Sequence, residues 1–226
     1  MKNKTQILSV IFWIIAAADI IGIAADISIL HYAAKPLLVP VLMILLAAAT
    51  GATRGKGLML AALFFSWAGD MFLLFESKNE LFFIFGLVCF LTTHILYIIY
   101  FLRINSGAPS LLKKQPLLIL IVIAYGFGLV LLLFPHLGEL KLPVIIYAIV
   151  ICGMLLCSLH IHLKVMARSA IFYLGGATAF VLSDSLLAVN KFYQPFAYAG
   201  VFIMLTYCMA QYFIVRGYIE PQSETL

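Results

Sequence analysis

Three aspartates, Asp19, Asp70 and Asp184, lie inside long apolar segments of a 226-residue chain. A carboxylate at the centre of a bilayer costs about 2.5–3.5 kcal/mol on insertion scales, so each needs a partner or a function. Two carboxyl groups that meet in an apolar site cannot both ionise easily, and one of them keeps its proton. An acid and an anion then lie side by side, as acid–base catalysis requires. Asp19, near the outer end of its segment, is expected to have a structural role instead.

Asp70 and Asp184 fall at similar depths in their segments. They lie about 12 and about 15 residues from the inner ends, which is roughly 18 and 22 Å at a helical rise of 1.5 Å per residue. Stripes of small residues, which let helix backbones approach closely, occur at every fourth position in both segments: Ala62, Ser66 and Asp70 in one, and Gly175, Ala179 and Ser183 in the other. We therefore expect both carboxyl groups in one layer of the outer half of the bilayer. In the alternative interpretation, each only hydrogen-bonds a neighbouring helix.

Other polar side chains within the apolar segments form smaller groups. His94 and Tyr97 share one helical face at positions i and i+3, Tyr207 and Gln211 do so at i and i+4, and Tyr147 marks the sixth segment similarly. Hydrogen bonding between helices is the alternative to a site role for each of them. No spacing of His, Cys, Asp or Glu suits a metal ion, and no nucleophile elbow or phosphate-binding loop is present. The sequence therefore predicts neither a metal nor a cofactor.

The composition excludes a water-soluble domain. Hydrophobic residues make up 65% of the chain and charged residues 10%, and the mean hydropathy is +1.15, whereas soluble domains are about half apolar and a quarter charged. The net charge is +5, but the 14 Lys and Arg are scattered in ones and twos, which indicates topology signals and not a nucleic-acid partner. We predict a single integral membrane domain over residues 1–226, in the inner membrane if the source is bacterial.

The predicted fold is all-α, with eight membrane-spanning helices. The spans are expected near residues 7–24, 37–50, 58–75, 81–102, 116–134, 143–162, 169–189 and 196–216. An N-in, C-in orientation puts ten basic residues inside and four outside, which favours it. His31 and Lys35 then fall in an outer loop. The start of the chain resembles a signal peptide, but an apolar run of about 18 residues that carries Asp19 favours a retained first span.

Two segments around the aspartates carry a specific pattern. They read LFFSWAGDMFLL over Leu63–Leu74 and GGATAFVLSDSLLA over Gly175–Ala188. Both resemble the Asp-bearing motifs of the YhhN-like family, which includes the TMEM86 lysoplasmalogenases. Further matches follow in the same order along nearly the whole chain: Lys35-Pro36-Leu37, Gly86, Phe90, His94-Ile95-Leu96-Tyr97, Asn190, Tyr207 and Ala210-Gln211.

The resemblance implies a hydrolase that cleaves the vinyl ether bond of a lysophospholipid substrate, the lysoplasmalogen. The products are a fatty aldehyde and glycerophosphoethanolamine or glycerophosphocholine. It also implies that Asp70 and Asp184 are the essential carboxylates. We expect Asp184 to be the acid and Asp70 the anion, with the reverse assignment open. The residues expected to bind the substrate are Lys35, through its phosphate, and His94, Tyr97, Asn190, Tyr207 and Gln211 around a polar pocket.

Two other classes of function remain open on the sequence alone. A small-molecule or proton-coupled transporter is suggested by acids at mid-depth and by a self-match at an offset of 114 residues, which pairs Asp70 with Asp184 and Gly86 with Gly200. Transport predicts flux without a product. A non-catalytic lipid-binding protein would tolerate replacement of both aspartates by asparagine. Membrane lipids are the expected surroundings in every case, and protein partners are not predicted.

Overall fold

The computed structural model describes residues 2–51 and 53–220 as an all-helical chain. Its long helices, α1 to α8 in chain order, are Lys2–Ala24, Ser28–Ala49, Lys56–Leu74, Glu80–Arg103, Leu117–Leu133, Lys141–Ile161, Ala167–Ala188 and Ala199–Ile219. Each corresponds to a predicted span, and all eight are long and apolar enough to cross a bilayer. The prediction of a polytopic, integral membrane protein is therefore confirmed. The N-in, C-in orientation stays a prediction.

The chain divides into two compact units, Met1–Tyr100 and Phe101–Leu226. The first unit contains α1, α2, α3 and nearly all of α4. The second contains α5 to α8 together with a one-turn helix, Leu111–Lys114. That the whole chain forms a single domain stays a prediction.

In the first unit, α1 and α2 form a tight hairpin. They are joined by three residues, of which Asp26 adopts a left-handed backbone with φ 56°. A Cβ added to Gly22 would lie 2.8 Å from the backbone nitrogen of His31. Only glycine lets the start of α2 cross the end of α1 this closely.

The predicted start of the second span is wrong, because α2 begins at Ser28, about nine residues before residue 37. Pro36, which directly precedes the predicted start, lies inside α2 together with Pro40. Pro40 has no N–H to give to the carbonyl of Pro36, one turn earlier. The indole Nε1 of Trp67 on α3 donates to that carbonyl instead, at 3.0 Å. A side chain from a neighbouring helix therefore satisfies the acceptor that the proline frees.

In the second unit, α7 packs closely against α8. A Cβ on Gly176 would lie 3.0 Å from both the carbonyl of Ala210 and the amide nitrogen of Ile214. The Ser183 hydroxyl donates to the carbonyl of Ile203 at 3.1 Å. The predicted small-residue stripe of α7 thus contributes to the contact with α8, and α7 continues beyond Ala188 as a π-helical turn, Val189–Tyr193.

Two short 3-10 turns connect α5 to α6 and close that hairpin. They span Phe134–His136 and Gly138–Leu140. Leu133, Leu137 and Val144 form a buried cluster at this end, and the end of α7 packs against it through Ala188 and Val189. The cluster fixes α5 and α6 beside the part of α7 that carries Asp184.

Candidate functional site

Asp70 lies on α3 in the first unit and is 2% exposed. Two glycines bring α3 and α4 together beside it. A Cβ on Gly69 would lie 2.8 Å from the ring of Phe90, and one on Gly86 would lie 2.8 Å from the side chain of Leu73. The Thr93 hydroxyl on α4 donates to the carbonyl of Ala62 at 3.1 Å. The stripe that ends at Asp70 is therefore buried, and α4 packs against it.

The other candidates of the first unit are also buried. His94 and Tyr97 on α4 are both 0% exposed. Lys35, predicted at the outer end of its span, lies in the second turn of α2 instead and is only 8% exposed. Within the described part of the chain, its ammonium group has no hydrogen-bond or ion-pair partner. A buried cation without a protein partner is costly, so an anion would bind favourably here.

A pair that the sequence analysis did not anticipate joins α1 to α2. Nδ1 of His31 lies 2.7 Å from Oδ1 of Asp19, whose side chain is fully buried. The placement of His31 in an outer loop is wrong because α2 begins before it. The sequence contained a usable signal in Gly22, whose lack of a side chain allows the tight hairpin. The pair is a contact between helices, and the structural role expected for Asp19 stays a prediction.

In the second unit, hydrogen bonds from α5 and α6 reach the aspartate motif of α7. The Tyr147 hydroxyl of α6 donates to Oδ2 of Asp184 at 2.5 Å. The Tyr125 hydroxyl of α5 donates to Oγ of Ser185 at 2.8 Å, and Ser185 donates in turn to the carbonyl of Val181. Both tyrosines are therefore missing from the predicted site residues. The only signal was a tyrosine within an otherwise apolar helix, which does not reveal its partner.

A cavity of about 40 Å³ opens where α5, α6 and α7 meet, and we call it the Asp184 cavity. Its polar walls are Asp184, Tyr147, Tyr125 and Ser185, and the rest of the lining is largely apolar. A site of this kind offers a carboxylate, three hydroxyl groups and low-dielectric surroundings. Charge that develops beside Asp184 would be poorly screened there.

Tyr207 and Gln211 belong to the same polar region. The Gln211 amide donates to the Tyr207 hydroxyl at 3.2 Å, and Tyr207 lies near Tyr147. The structure thus brings Asp184, Tyr147, Tyr207 and Gln211 close to one another across α6, α7 and α8. Asn190 lies elsewhere, in the π-helical turn, where its Oδ1 accepts from the amide of Phe196 at 3.4 Å. Asn190 is not part of the wall of the Asp184 cavity, and its role in substrate binding stays a prediction.

No group of three or more His, Cys, Asp or Glu side chains is placed to hold a metal ion within the residues that the structure describes.

The chain resembles known proteins over most of its length. A profile of the YhhN family matches residues 30–218. "Lysoplasmalogenase TMEM86B" of Homo sapiens is 35% identical over 158 residues, which cover 70% of this chain and 61% of the relative. "Lysoplasmalogenase" of Mycobacterium bovis is 28% identical over 194 residues, which cover 83% and 71% respectively. The matches thus span about 61–71% of these relatives. No solved structure matches the chain.

Proposed function

Because the chain belongs to the YhhN family, we propose that it hydrolyses the vinyl ether bond of lysoplasmalogens inside the membrane. Relatives at modest identity bear the name lysoplasmalogenase. The structural observation that carries the proposal is Asp184, a carboxylate held by Tyr147 at the wall of a small cavity in an apolar surrounding. Hydrolysis through a cationic intermediate needs such a carboxylate to stabilise the positive charge.

The reaction consumes one water molecule and proceeds in three steps. An acid first delivers a proton to the outer carbon of the enol ether, and the C=C bond becomes a C–H bond and an oxocarbenium ion. Water then adds to the cationic carbon and loses a proton to a carboxylate, which produces a hemiacetal. The hemiacetal breaks its C–O bond to release the fatty aldehyde and the glycerol hydroxyl. The work is divided between two carboxyl groups, as in glycoside hydrolysis.

Asp184 is the better candidate for the anion of the pair. A phenol O–H donates a stronger hydrogen bond to an ionised carboxylate than to a neutral acceptor, and Tyr147 makes such a bond to Oδ2. The acid role then belongs to Asp70, whose side chain is buried on α3. This assignment is the reverse of the one preferred on the sequence alone, and it makes the Asp184 carboxylate the group that stabilises the oxocarbenium ion.

The Asp184 cavity is a suitable place for the attacking water. At about 40 Å³ it has room for about two water molecules, and a buried water also needs two to four polar partners. Asp184, Tyr147, Tyr125 and Ser185 supply those partners. Asp184 would then orient the water and accept its proton as the water attacks.

The remaining candidates either bind the substrate or support the residues around it. Lys35 is assigned to the phosphate, because a buried ammonium group without a protein partner gains most from an anion. Tyr207 and Gln211 would support the nearby Tyr147. His94 and Tyr97 are assigned to a polar lining beside Asp70, and Asn190 to shaping the end of α7.

The test is aldehyde release from lysoplasmenyl-ethanolamine by purified protein in detergent. Wild type is compared with Asp70→Asn and Asp184→Asn, with a chelator present and folding checked by thermal melting. Asp26→Asn is the matched control, because this exposed turn residue has a left-handed backbone that asparagine tolerates. We expect wild type and the control to be active and both other variants to be folded and inactive.

Two results would contradict the proposal. Aldehyde release that persists in both folded variants would show that the two carboxylates are not catalytic. A folded wild type that releases no aldehyde would show that lysoplasmalogen is not the substrate. Flux measurements in liposomes would then test the transport alternative.

A further inference from the structure

A wide apolar groove adjoins the Asp184 cavity in the second unit. It lies between α5 and α6, has a volume of about 480 Å³, and is lined on α5 by Ile123, Gly126 and Val130 and on α6 by Ile149, Cys152 and Gly153, among others. We call it the α5–α6 groove. Its volume falls within the range of about 300–1,000 Å³ that is usual for small-molecule sites. None of its lining side chains is charged, so its occupant must be apolar.

The groove and the cavity are neighbours that share part of their walls. Four residues line both spaces: Gly126, Val130, Ala148 and Cys152. At Gly126 the two helices are in close contact, because a Cβ there would lie 2.7 Å from the sulfur of Cys152. The shared residues place a molecule in the groove next to the cavity that Asp184 and Tyr147 line.

The direction and length of the groove fit one hydrocarbon chain. On α6 the cavity lining spans Val144–Cys152, whereas the groove reaches Leu156, closer to the end of the helix. Its α6 wall runs from Ile145 to Leu156, about 16 Å at the helical rise. The hydrocarbon core of a bilayer is about 30 Å thick, so the wall is as long as the chains of one leaflet.

We propose that the α5–α6 groove binds the single alkenyl chain of the lysolipid and delivers its vinyl ether to the Asp184 cavity. The inference rests on the proposed function for the identity of the polar end. Because the vinyl ether joins the chain to the glycerol, it belongs at the junction between an apolar and a polar space. A lysolipid has one chain to bury, and the α5–α6 groove has the length of one leaflet and lies beside the carboxylate.

Binding can be tested without catalysis by a saturated 1-O-alkyl lysophospholipid that carries a diazirine at the end of its chain. This probe has no double bond to protonate, so it binds without turnover. Irradiation of wild type followed by mass spectrometry should place the label on α5 and α6 near Gly153 and Leu156. Unlabelled lysolipid should compete, whereas diacyl phospholipid should not. Labels spread over other helices, or equal competition by diacyl lipid, would overturn the inference.

Chain length supplies the second test, with Gly153→Leu to fill the groove. Gly128→Leu is the matched control, since a Cβ at this exposed glycine of α5 meets nothing within 4 Å. We expect Gly153→Leu to lower kcat/KM for long-chain lysoplasmalogens by about tenfold or more while short-chain substrates are spared. The control variant should show the same dependence of kcat/KM on chain length as wild type.

The two proposals fail in different ways. Label in the groove without aldehyde release would contradict the hydrolase and support the binding site. Aldehyde release with label elsewhere, and with a Gly153→Leu profile like that of wild type, would contradict the groove and leave the hydrolase intact.

Discussion

The Asp184 carboxylate on α7 is held in position by side chains from other helices. Tyr147 donates to its carboxylate, and Gln211 supports the neighbouring Tyr207 hydroxyl. Groups held in place by such bonds need little reorganisation when charge develops, and electrostatic stabilisation of this kind is often the largest catalytic contribution. The catalytic role proposed for Asp184 should therefore depend on Tyr147 as a positioning residue.

Tyr147→Phe tests this dependence by removing one hydroxyl group. A hydrogen bond to a charged group contributes about 1.5–3 kcal/mol, so we expect kcat to fall by about tenfold to a hundredfold with little change in KM. Aldehyde release at several substrate concentrations gives both constants. Tyr198→Phe is the matched control, because this side chain is 69% exposed and lines neither the Asp184 cavity nor the α5–α6 groove. Equal losses in the two variants would argue against a specific role for Tyr147.

Lys35 offers a second test at a single side chain. Replacement by methionine keeps the length of the side chain and removes a buried charge that has no partner among the described residues. We expect KM for a lysoplasmalogen to rise by about tenfold and the melting temperature to stay the same or increase. A 1-alkenylglycerol without phosphate should be hydrolysed equally by wild type and Lys35→Met. Equal losses on both substrates would show that Lys35 does not recognise phosphate.

The helices pack against one another at prolines and glycines, residues that are unfavourable inside most helices. Prolines lie inside α2, and glycines sit where α1 meets α2, where α3 meets α4 and where α7 meets α8. In lipid there is no hydrophobic force between apolar helices, so close backbone contact and hydrogen bonds supply much of the association. Each of these prolines and glycines should therefore have a specific contact on the facing helix.

The Trp67 bond to Pro36 can be isolated by a double-mutant cycle. Trp67→Phe leaves the Pro36 carbonyl without a donor and should destabilise the protein by about 1–3 kcal/mol. Pro40→Ala restores an N–H one turn after Pro36, so the same Trp67→Phe change should cost less in that background. Unfolding of all four proteins in mixed detergent measures the coupling. Additive effects would mean that Trp67 acts only through packing.

Gly176 tests the contact between α7 and α8. An alanine there would place its Cβ 2.6 Å from the Ile214 side chain and 3.0 Å from the α8 backbone, which cannot give way easily. We expect a loss of about 1–3 kcal/mol and reduced aldehyde release, because α7 carries Asp184. Gly128→Ala, with open space around its Cβ, should be neutral or slightly stabilising. A melting temperature unchanged by Gly176→Ala would contradict this packing.

The distribution of charge along the whole chain predicts its orientation. Ten basic residues fall on one predicted side and four on the other, and short loops rich in Lys and Arg stay in the cytoplasm. Ser77 and Gly107, both exposed in successive loops, should therefore lie on opposite sides of the membrane.

Cysteine labelling decides the orientation. The four native cysteines are replaced, and Ser77→Cys and Gly107→Cys are made separately in that background. An impermeant maleimide added to intact cells should label the Ser77→Cys protein at once and the Gly107→Cys protein only after permeabilisation. The opposite result would invert the topology and put the carboxylates in the inner half of the bilayer.

Helix positions could be predicted well because they depend on local composition. Apart from the starts of α1 and α2, every observed end lies within three residues of its predicted one. The error at α2 has a tertiary cause, since the carbonyl freed by Pro40 finds its donor in Trp67, 31 residues from Pro36. Of the predicted site residues, Asp184, Tyr207 and Gln211 lie close together, and the Tyr147 hydroxyl, which was predicted either for a site or for a contact between helices, donates to Asp184. The Asn190 side chain accepts from the amide of Phe196, and Tyr125 was not predicted.

The amino-acid sequence alone determined the membrane class, the number of helices, the anomalous aspartates and the family resemblance. Each of these follows from residue type and spacing along one stretch of chain. Only the tertiary structure decided that Tyr147 is the donor to Asp184, that His31 pairs with Asp19, and that a leaflet-long groove meets the Asp184 cavity. Those features depend on which helix faces which, and helix pairing in lipid is set by shape and by single polar contacts that hydropathy and periodicity do not encode.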